Sequence, residues 1–438
     1  MMRAIQHIRL RAAGSTQDEA GFTMVEMIIA IFIFAMVIGG VTVGMSSSLN
    51  LTRQDRNRSI AANLAAQEMD TVRSTDFTDL VTTWLGTPPA TTTLVDGVPY
   101  YITRQTEWVT PNATSGPCNA PSGSTLAYVS VVVTVSWDNM SGVPAPTAAT
   151  VVTPPVGTYS ALTGHIAVMV RDAAGVPQEN VPVSIAGPGV SDSQVTSVDG
   201  CAFFAYEPVG SYTVTLSKSG YVDYQGVSGP TQAATVGTGT ISSIQFQYDN
   251  AATLNLVLLG GSGGVIPANI PVTLANTHYL PAGQKTFAGT GGARSVLGLF
   301  PYVDGYEMYA GNCLNADPEG VNGGGGAIYP GASRPAATSV TPGGTSAATV
   351  PMHTVTVHTQ VLASGLPRAG VAVTATNVID TGCPTAVTYP LGTTDALGNF
   401  TAALPYGTWV FGAAGTGTTT SQLLSPLVPA TPTVLIKW

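Results

Sequence analysis

The stretch GFTMVEMIIAIFIFAMVIGG, residues 21–40, is apolar except for Thr23 and one carboxylate, Glu26. From Phe22 to Met45 there are 24 residues, whose polar exceptions are Thr23, Glu26 and Thr42, enough to cross a bilayer once as a helix. A carboxylate at that depth costs about 3 kcal/mol unless it finds a cation, so Glu26 demands a partner. Residues 1–20 are polar and basic, and the apolar run follows Gly21 directly, whereas an ordinary secretory signal places its apolar region ahead of a small-residue cut. Basic residues before the span predict that residues 1–20 stay cytoplasmic and that the rest of the chain lies outside.

Past Met45 the sequence SSSLNLTRQDRNRSIAANLAAQEMDTVRS keeps apolar residues at Leu49, Ile60, Leu64, Met69 and Val72 among charges. That spacing continues an amphipathic helix to about Arg73, with Arg53, Arg56 and Arg58 near the outer lipid surface or along a filament groove. Gly39, Gly40 and Gly44 each weaken the helix by about 1 kcal/mol relative to Ala. They mark either a segment that melts or a place of close helix packing. GVPYYITRQTEWV (97–109) and LAYVSVVVTVSW (126–137) alternate as half-buried strands. PAPTAATVVTPPVGT (144–158) reads as a proline-rich linker.

Beyond residue 158 the chain repeats at a spacing of roughly 90–100 residues. DAAGVPQENVPVSI (172–185), GSGGVIPANIPVTL (261–274) and LASGLPRAGVAVTA (362–375) place Pro177, Pro267 and Pro367 ahead of an alternating strand. A second signature recurs in each copy: a strand, a Pro-containing turn with Gly210, Gly305 or Gly407, and an aromatic strand start at Tyr212, Tyr306 or Trp409. Two hairpin-like halves of this length suit an immunoglobulin-like β-sandwich, and this repeat spacing predicts beads instead of a solenoid.

The net charge is -9, and without the first 21 residues 12 Lys and Arg face 22 Asp and Glu, a net of -10. An acidic surface disfavours nucleic acid as a partner of the bulk of the chain. Cys118, Cys201, Cys313 and Cys383 show no CxxC pairing, which outside the membrane reads as two disulfides, the alternative being four buried free thiols. Of the three pairings, 118 with 201 and 313 with 383 is preferred on proximity along the chain alone. The histidines His7, His165, His278, His353 and His358 sit without acids at metal-ligand spacing. The glycine runs 260–264 and 320–331 lack the lysine and following helix of a phosphate loop. No catalytic residues, metal site or cofactor follow from these patterns, so an enzyme is not expected. The segment Leu314–Thr349 is either a contact surface or an unstructured insertion.

DEAGFTMVEMIIAIF resembles the class III signal of type IV prepilins and pseudopilins. The resemblance covers about the first sixty residues, and ANLAAQEMDTVRS resembles the same helix in minor pilins and pseudopilins. It implies cleavage after Gly21 by a prepilin peptidase, N-methylation of Phe22 by a methyltransferase, and assembly with other pilin subunits through Glu26 at an inner-membrane platform. In a staggered bundle the cation nearest Glu26 is the new amine of a neighbouring Phe22. Residues 159–438 resemble the carboxypeptidase regulatory-like, or transthyretin-like, sandwich, also found as B-type repeats in surface adhesins. Such modules imply spacing, display and sometimes ligand binding, not peptidase activity. Their Lys–Asn isopeptide bond is not expected, because HIAVMVRD, LNLVLL and HTVTVHTQV carry no lysine.

The expected architecture is an α+β pilin followed by three all-β modules: leader 1–21, pilin-like domain 22–157 with its helix over 22–73, and sandwiches at 158–250, 251–352 and 353–438. The expected role is that of a minor type IV pilin-like subunit, a single-pass membrane protein before assembly and extracellular afterwards, serving adhesion through an unknown surface ligand. The alternatives are a pseudopilin of a type II secretion or DNA-uptake machine, and an anchored surface protein that never assembles.

Overall fold

Fifty-one consecutive residues, Met24–Ser74, form helix α1. The computed structural model describes residues 23–110, 116–125, 128–140, 142–155, 162–415 and 418–437. The chain divides into two units, Met1–Thr106 with Ser130–Val152, and Glu107–Val129 with Thr153–Trp438.

In the first unit α1 is followed by α2 (Phe77–Thr82) and by strands β1 (Thr91–Val95), β2 (Val98–Val109), β3 (Tyr128–Trp137) and β4 (Thr147–Val152), in the sheet order β1-β2-β3-β4. The C-terminal half of α1 seats on this sheet through Ala61, Ala65, Met69 and Val72. The facing core is Tyr100, Ile102, Val131, Val133, Val135 and Trp137, all buried. Of the expected stripe, Met69 and Val72 are buried as anticipated, whereas Leu49 is 53% exposed and Ile60 and Leu64 are half-buried, Ala61 and Ala65 taking the seat there. Alanine methyl groups let the helix backbone approach the sheet closely, which the larger side chains on either flank would prevent.

Polar bonds pin the seat at both ends. Gln54 accepts from the Trp137 indole N–H (3.1 Å) and donates to the Asn139 carbonyl (2.6 Å). The half-buried Arg104 pairs with Glu68 at 2.5 Å while lying over the Trp84 ring. Two strands escaped the sequence reading. β1 and β2 close on Asp96-Gly97, with φ of 52° and 79° and Val95 opposite Val98, the two-residue turn that Asp-Gly favours. β4 occupies TAATVV inside the expected linker. It sits at the sheet edge, where flanking prolines cost no ladder bonds.

The second unit carries three sandwiches. The first contains β5 (Thr163–Arg171), β6 (Pro182–Gly187), β7 (Val190–Val195), β8 (Cys201–Pro208), β9 (Gly210–Leu216), β10 (Tyr221–Asp223), β11 (Thr231–Val236) and β12 (Ile241–Asn250). Sheets β10-β12-β5-β8 and β11-β9-β6-β7 enclose one core, with Ile166, Val168 and Phe246 facing Val183, Ile185 and Val214. β5 is buried on both faces, because Pro117–Asn119 packs against the outer one. Residues 120–125 also bond along β12: Gly123 N–H donates to the Ile241 carbonyl and Ile241 N–H to the Ser124 carbonyl, both at 2.8 Å.

The other two sandwiches are built from β13 (Ala252–Gly260), β14 (Val272–Ala275), β15 (Gln284–Phe287), β16 (Ala293–Leu299), β17 (Glu307–Ala310), β18 (Thr345–Gln360), β19 (Ala372–Asn377), β20 (Thr388–Thr393), β21 (Asn399–Leu404), β22 (Gly407–Ala413), β23 (Thr419–Leu424) and β24 (Thr433–Lys437). β15-β14-β17 and β20-β19-β22-β23 are separate sheets, whereas β16-β13-β18-β21 with β24 is one sheet common to both.

In all three sandwiches the first and last strands pair in parallel: β5 with β12, β13 with β18, and β18 with β24. The sixteen-residue β18 is thus the last strand of the second sandwich and the first of the third. Separate beads, as the repeat spacing predicts, are therefore not what forms here. One residue, Ala251, separates β12 from β13, and a single hydrophobic cluster runs from Leu254 and Tyr306 to Trp409 and Phe411.

The repeat signatures have a common mechanical basis. Tyr212 hydroxyl and Trp409 indole each donate 2.9 Å bonds to the carbonyl of the proline four residues earlier, and Tyr306 donates to the Phe300 carbonyl at 2.6 Å. Each buried aromatic ring thereby fixes the turn before its own strand. Asn180, Asn269 and Gly370, with φ of 56°, 64° and 70°, make the matching left-handed turn ahead of the next strand. The shared strand makes the last two sandwiches one folding unit: Phe411→Ala should cost about 3–5 kcal/mol, and hydrogen exchange should accelerate together in β14–β17 and β19–β23.

Candidate functional site: the N-terminal helix

Thr23 caps α1, its hydroxyl accepting from Glu26 N–H at 3.4 Å and its carbonyl from Glu26 and Met27 N–H at 3.0 and 3.1 Å. This sets Glu26 in the first turn, where a carboxylate complements the helix dipole. From Met24 to Leu51 every large apolar side chain is at least 50% exposed, and the stretch is long and apolar enough to span a membrane. A surface of that kind needs lipid or other helices around it. Among the described residues the Glu26 carboxylate makes no hydrogen bond or ion pair. Gly21 and Phe22, the residues expected to be cut and methylated, lie outside the described residues.

The helix is unbroken through Gly39, Gly40 and Gly44, and a Cβ at any of them would meet nothing within 4 Å. Among the described residues nothing outside the helix therefore lies against these glycines. About 40 Å along the axis from Glu26 come Arg53, Arg56 and Arg58, of which Arg56 pairs with Asp96 at 2.5 Å with both side chains exposed. The helix α1 thus carries an isolated acid at its start and guanidinium groups at the far end of the apolar run.

The remaining candidate residues lie in the second unit. Cys118 is bonded to Cys201 and Cys313 to Cys383, with Cα atoms 5.7 and 5.1 Å apart. Each bond ties segments that the sequence assigns to different modules. The segment 314–349 is held by a polar knot that sequence reading missed. Arg334 donates to both oxygens of the buried Asp317 (2.8 and 2.7 Å) and to Glu307 (3.0 Å), and Gln284 adds a bond to Asp317 (3.1 Å). These carboxylates hold the Arg334 pKa above its ordinary value. Tyr329 donates to the Asn315 carbonyl at 2.7 Å. The tip, 321–327, is a continuous exposed run.

The strand histidines bind locally. His353 lies within 2.7 Å of the Val428 carbonyl and His358 within 2.7 Å of Asn399, while His278 stacks on Tyr302. Among the described residues no group of three His, Cys, Asp or Glu could hold a metal ion.

Residues 16–42 match the family described as the prokaryotic N-terminal methylation motif. The match takes in Gly21, Phe22 and Glu26 and gives the chain a type IV pilin-like N-terminus. No curated protein matches the chain. Among solved structures, the Bacillus anthracis TIE protein is 12% identical, with 81% of this chain and 73% of that one covered and a TM-score of 0.21. BcpA, the major pilin subunit of Bacillus cereus, is 12% identical over 63% of this chain and 98% of that one, with a TM-score of 0.19. GBS52, the minor pilin of Streptococcus agalactiae, is 13% identical over 43% and 95%, with a TM-score of 0.20. At these identities and TM-scores, none carries a property over to this chain.

One buried group gives the second unit a pH dependence. His165 is 1% exposed, its Nδ1 accepting from Tyr206 N–H at 3.1 Å and its ring stacked on Phe203. Burial lowers its pKa to about 4, whereas the unfolded chain takes up the proton near 6.5. The neutral ring's contribution is full above pH 6.5 and is lost as the pH falls towards 4, by up to about 3 kcal/mol. Thermal melts at pH 7.5 and 4.5 should therefore differ less for His165→Phe than for the parent.

Proposed function

We propose that the chain is a minor type IV pilin-like subunit, cut after Gly21, methylated at Phe22 and assembled with other pilin subunits through Glu26, which displays its sandwiches outside the cell for adhesion. The observation that carries this reading is the lone Glu26 carboxylate in the first turn of an exposed apolar helix, inside a methylation motif. Cleavage creates an amine on Phe22, and a neighbouring subunit displaced along the axis can bring that amine to Glu26. The pair neutralises a charge that lipid penalises and sets the stagger between subunits.

The size of the second unit supports sparse use. A filament made wholly of chains carrying three sandwiches for each helix would be crowded, whereas occasional incorporation or a place at the tip leaves room. The long exposed face of α1, glycines included, is then covered by other helices.

The test is N-terminal sequencing with intact mass of protein sheared from cells. The expected start is N-methylated Phe22, and Glu26→Ala should keep the cut while lowering the sheared fraction at least tenfold. An intact leader in the membrane fraction with nothing sheared, or normal shedding of Glu26→Ala, overturns the proposal.

A further inference from the structure

The parallel pairing of first and last strands has a consequence for how the second unit answers a pull. For a pull applied between Ala252, at the start of β13, and Lys437, at the end of β24, the load must cross the second and third sandwiches. Between those points lie two parallel ladders. The first joins Thr253–Gly260 to Thr345–Met352 and the second joins Thr356–Gln360 to Thr433–Lys437. A pull between the N-terminal end of one strand and the C-terminal end of its parallel neighbour runs along both strands, across the direction of their hydrogen bonds. The rungs share the load and must fail together, whereas a pull on adjacent ends peels them one at a time.

We propose that the second and third sandwiches are a single tension-bearing element, in which β18 passes the load directly from one ladder to the next. This mechanical function goes beyond surface display and does not depend on assembly through Glu26. Two further features fit it. Val265 bridges to the third sandwich, donating to the Thr401 carbonyl and accepting from Ala403 N–H, both at 2.9 Å. Cys313–Cys383 spans the same junction and encloses all of β18 in a loop of sequence separation 70. Once the first ladder has slipped, the disulfide carries the load past that loop into the third sandwich. Forced unfolding is governed by the barrier rather than by equilibrium stability, so shear geometry and cross-link are the quantities that matter.

The test is single-molecule stretching of the full chain. One handle is N-terminal; the other is either C-terminal or inserted in the exposed turn before β18. That turn lies beside the start of β13, since Thr253 N–H donates to the Gly344 carbonyl at 2.9 Å. Insertion after Thr341 and insertion after Gly343 serve as alternatives, should one fail to fold, and denaturant midpoints equal to the parent's show that stability is intact. The expected result is a rupture force for the second sandwich at least twofold higher with the C-terminal handle than with the inserted one. Reduction should add about 250 Å of extension from the 313–383 loop and about 300 Å from the 118–201 loop, at roughly 3.6 Å per residue. Equal rupture forces in the two geometries overturn the shear argument, and an unchanged length on reduction overturns the role of the cross-link.

Discussion

The second unit depends on one constraint: a sandwich whose first and last strands lie side by side and parallel. A chain that leaves such a domain is already extended, in register with a sheet, and heading away from the point where it entered. The next sandwich can begin on that strand or one residue later, and both solutions occur, β18 serving two sandwiches and Ala251 alone separating β12 from β13. With no linker, neighbouring loops are forced together. Lys285 reaches the Gln225 carbonyl at 2.6 Å, and Tyr302 bonds to the Tyr224 carbonyl. Burial raises the pKa of Tyr279 to about 12 and pushes Tyr302 higher still.

The two disulfides extend this logic. Closing loops of 83 and 70 residues removes unfolded-state freedom equivalent to roughly 4 kcal/mol each in the chain-entropy account. Their placement is more informative than their strength. Within the second unit, Cys118 brings the segment between β2 and β3 onto β8, and Cys313 brings the segment after β17 to the loop between β19 and β20, tying the second sandwich to the third. The Arg334–Asp317 pair works within the same scheme. A buried ion pair adds little net stability, but removing either partner strands a charge, so the segment 314–349 has one satisfactory arrangement.

How much of this was legible depends on the range of the signal. The apolar run with Glu26 and the recurrence of Pro177, Pro267 and Pro367 are local patterns with one physical meaning each, and they announced the helix and the three copies. Tyr212, Tyr306 and Trp409 could be matched across copies, although the backbone bonds that explain them leave no mark in the sequence. Asp96-Gly97 was a readable turn signal whose flanking strand TTTLV offers little hydrophobic contrast. HIAVMVR, apolar without alternation, fits a strand covered on both faces, but nothing local says what covers it. Ala61 and Ala65 were hidden because a hydrophobicity pattern rewards large residues while close helix–sheet contact rewards small ones. Arg334 and Asp317, 17 residues apart in a glycine- and proline-rich segment, carry no pattern that pairs them.

The shared strand also bears on how such a chain can change length in evolution. Pro267 and Pro367 set the second and third copies 100 residues apart, so Ala252–Gly260 of β13 is equivalent to Met352–Gln360 within β18. A gene crossover between equivalent codons of these two strands would delete or duplicate one whole sandwich, and the joined product would still read as an uninterrupted first strand. No loop would be cut and no linker would need to be invented. The length of the second unit could thus change in whole-sandwich steps, with recombination inside a strand as the quiet route and recombination inside a loop as the disruptive one.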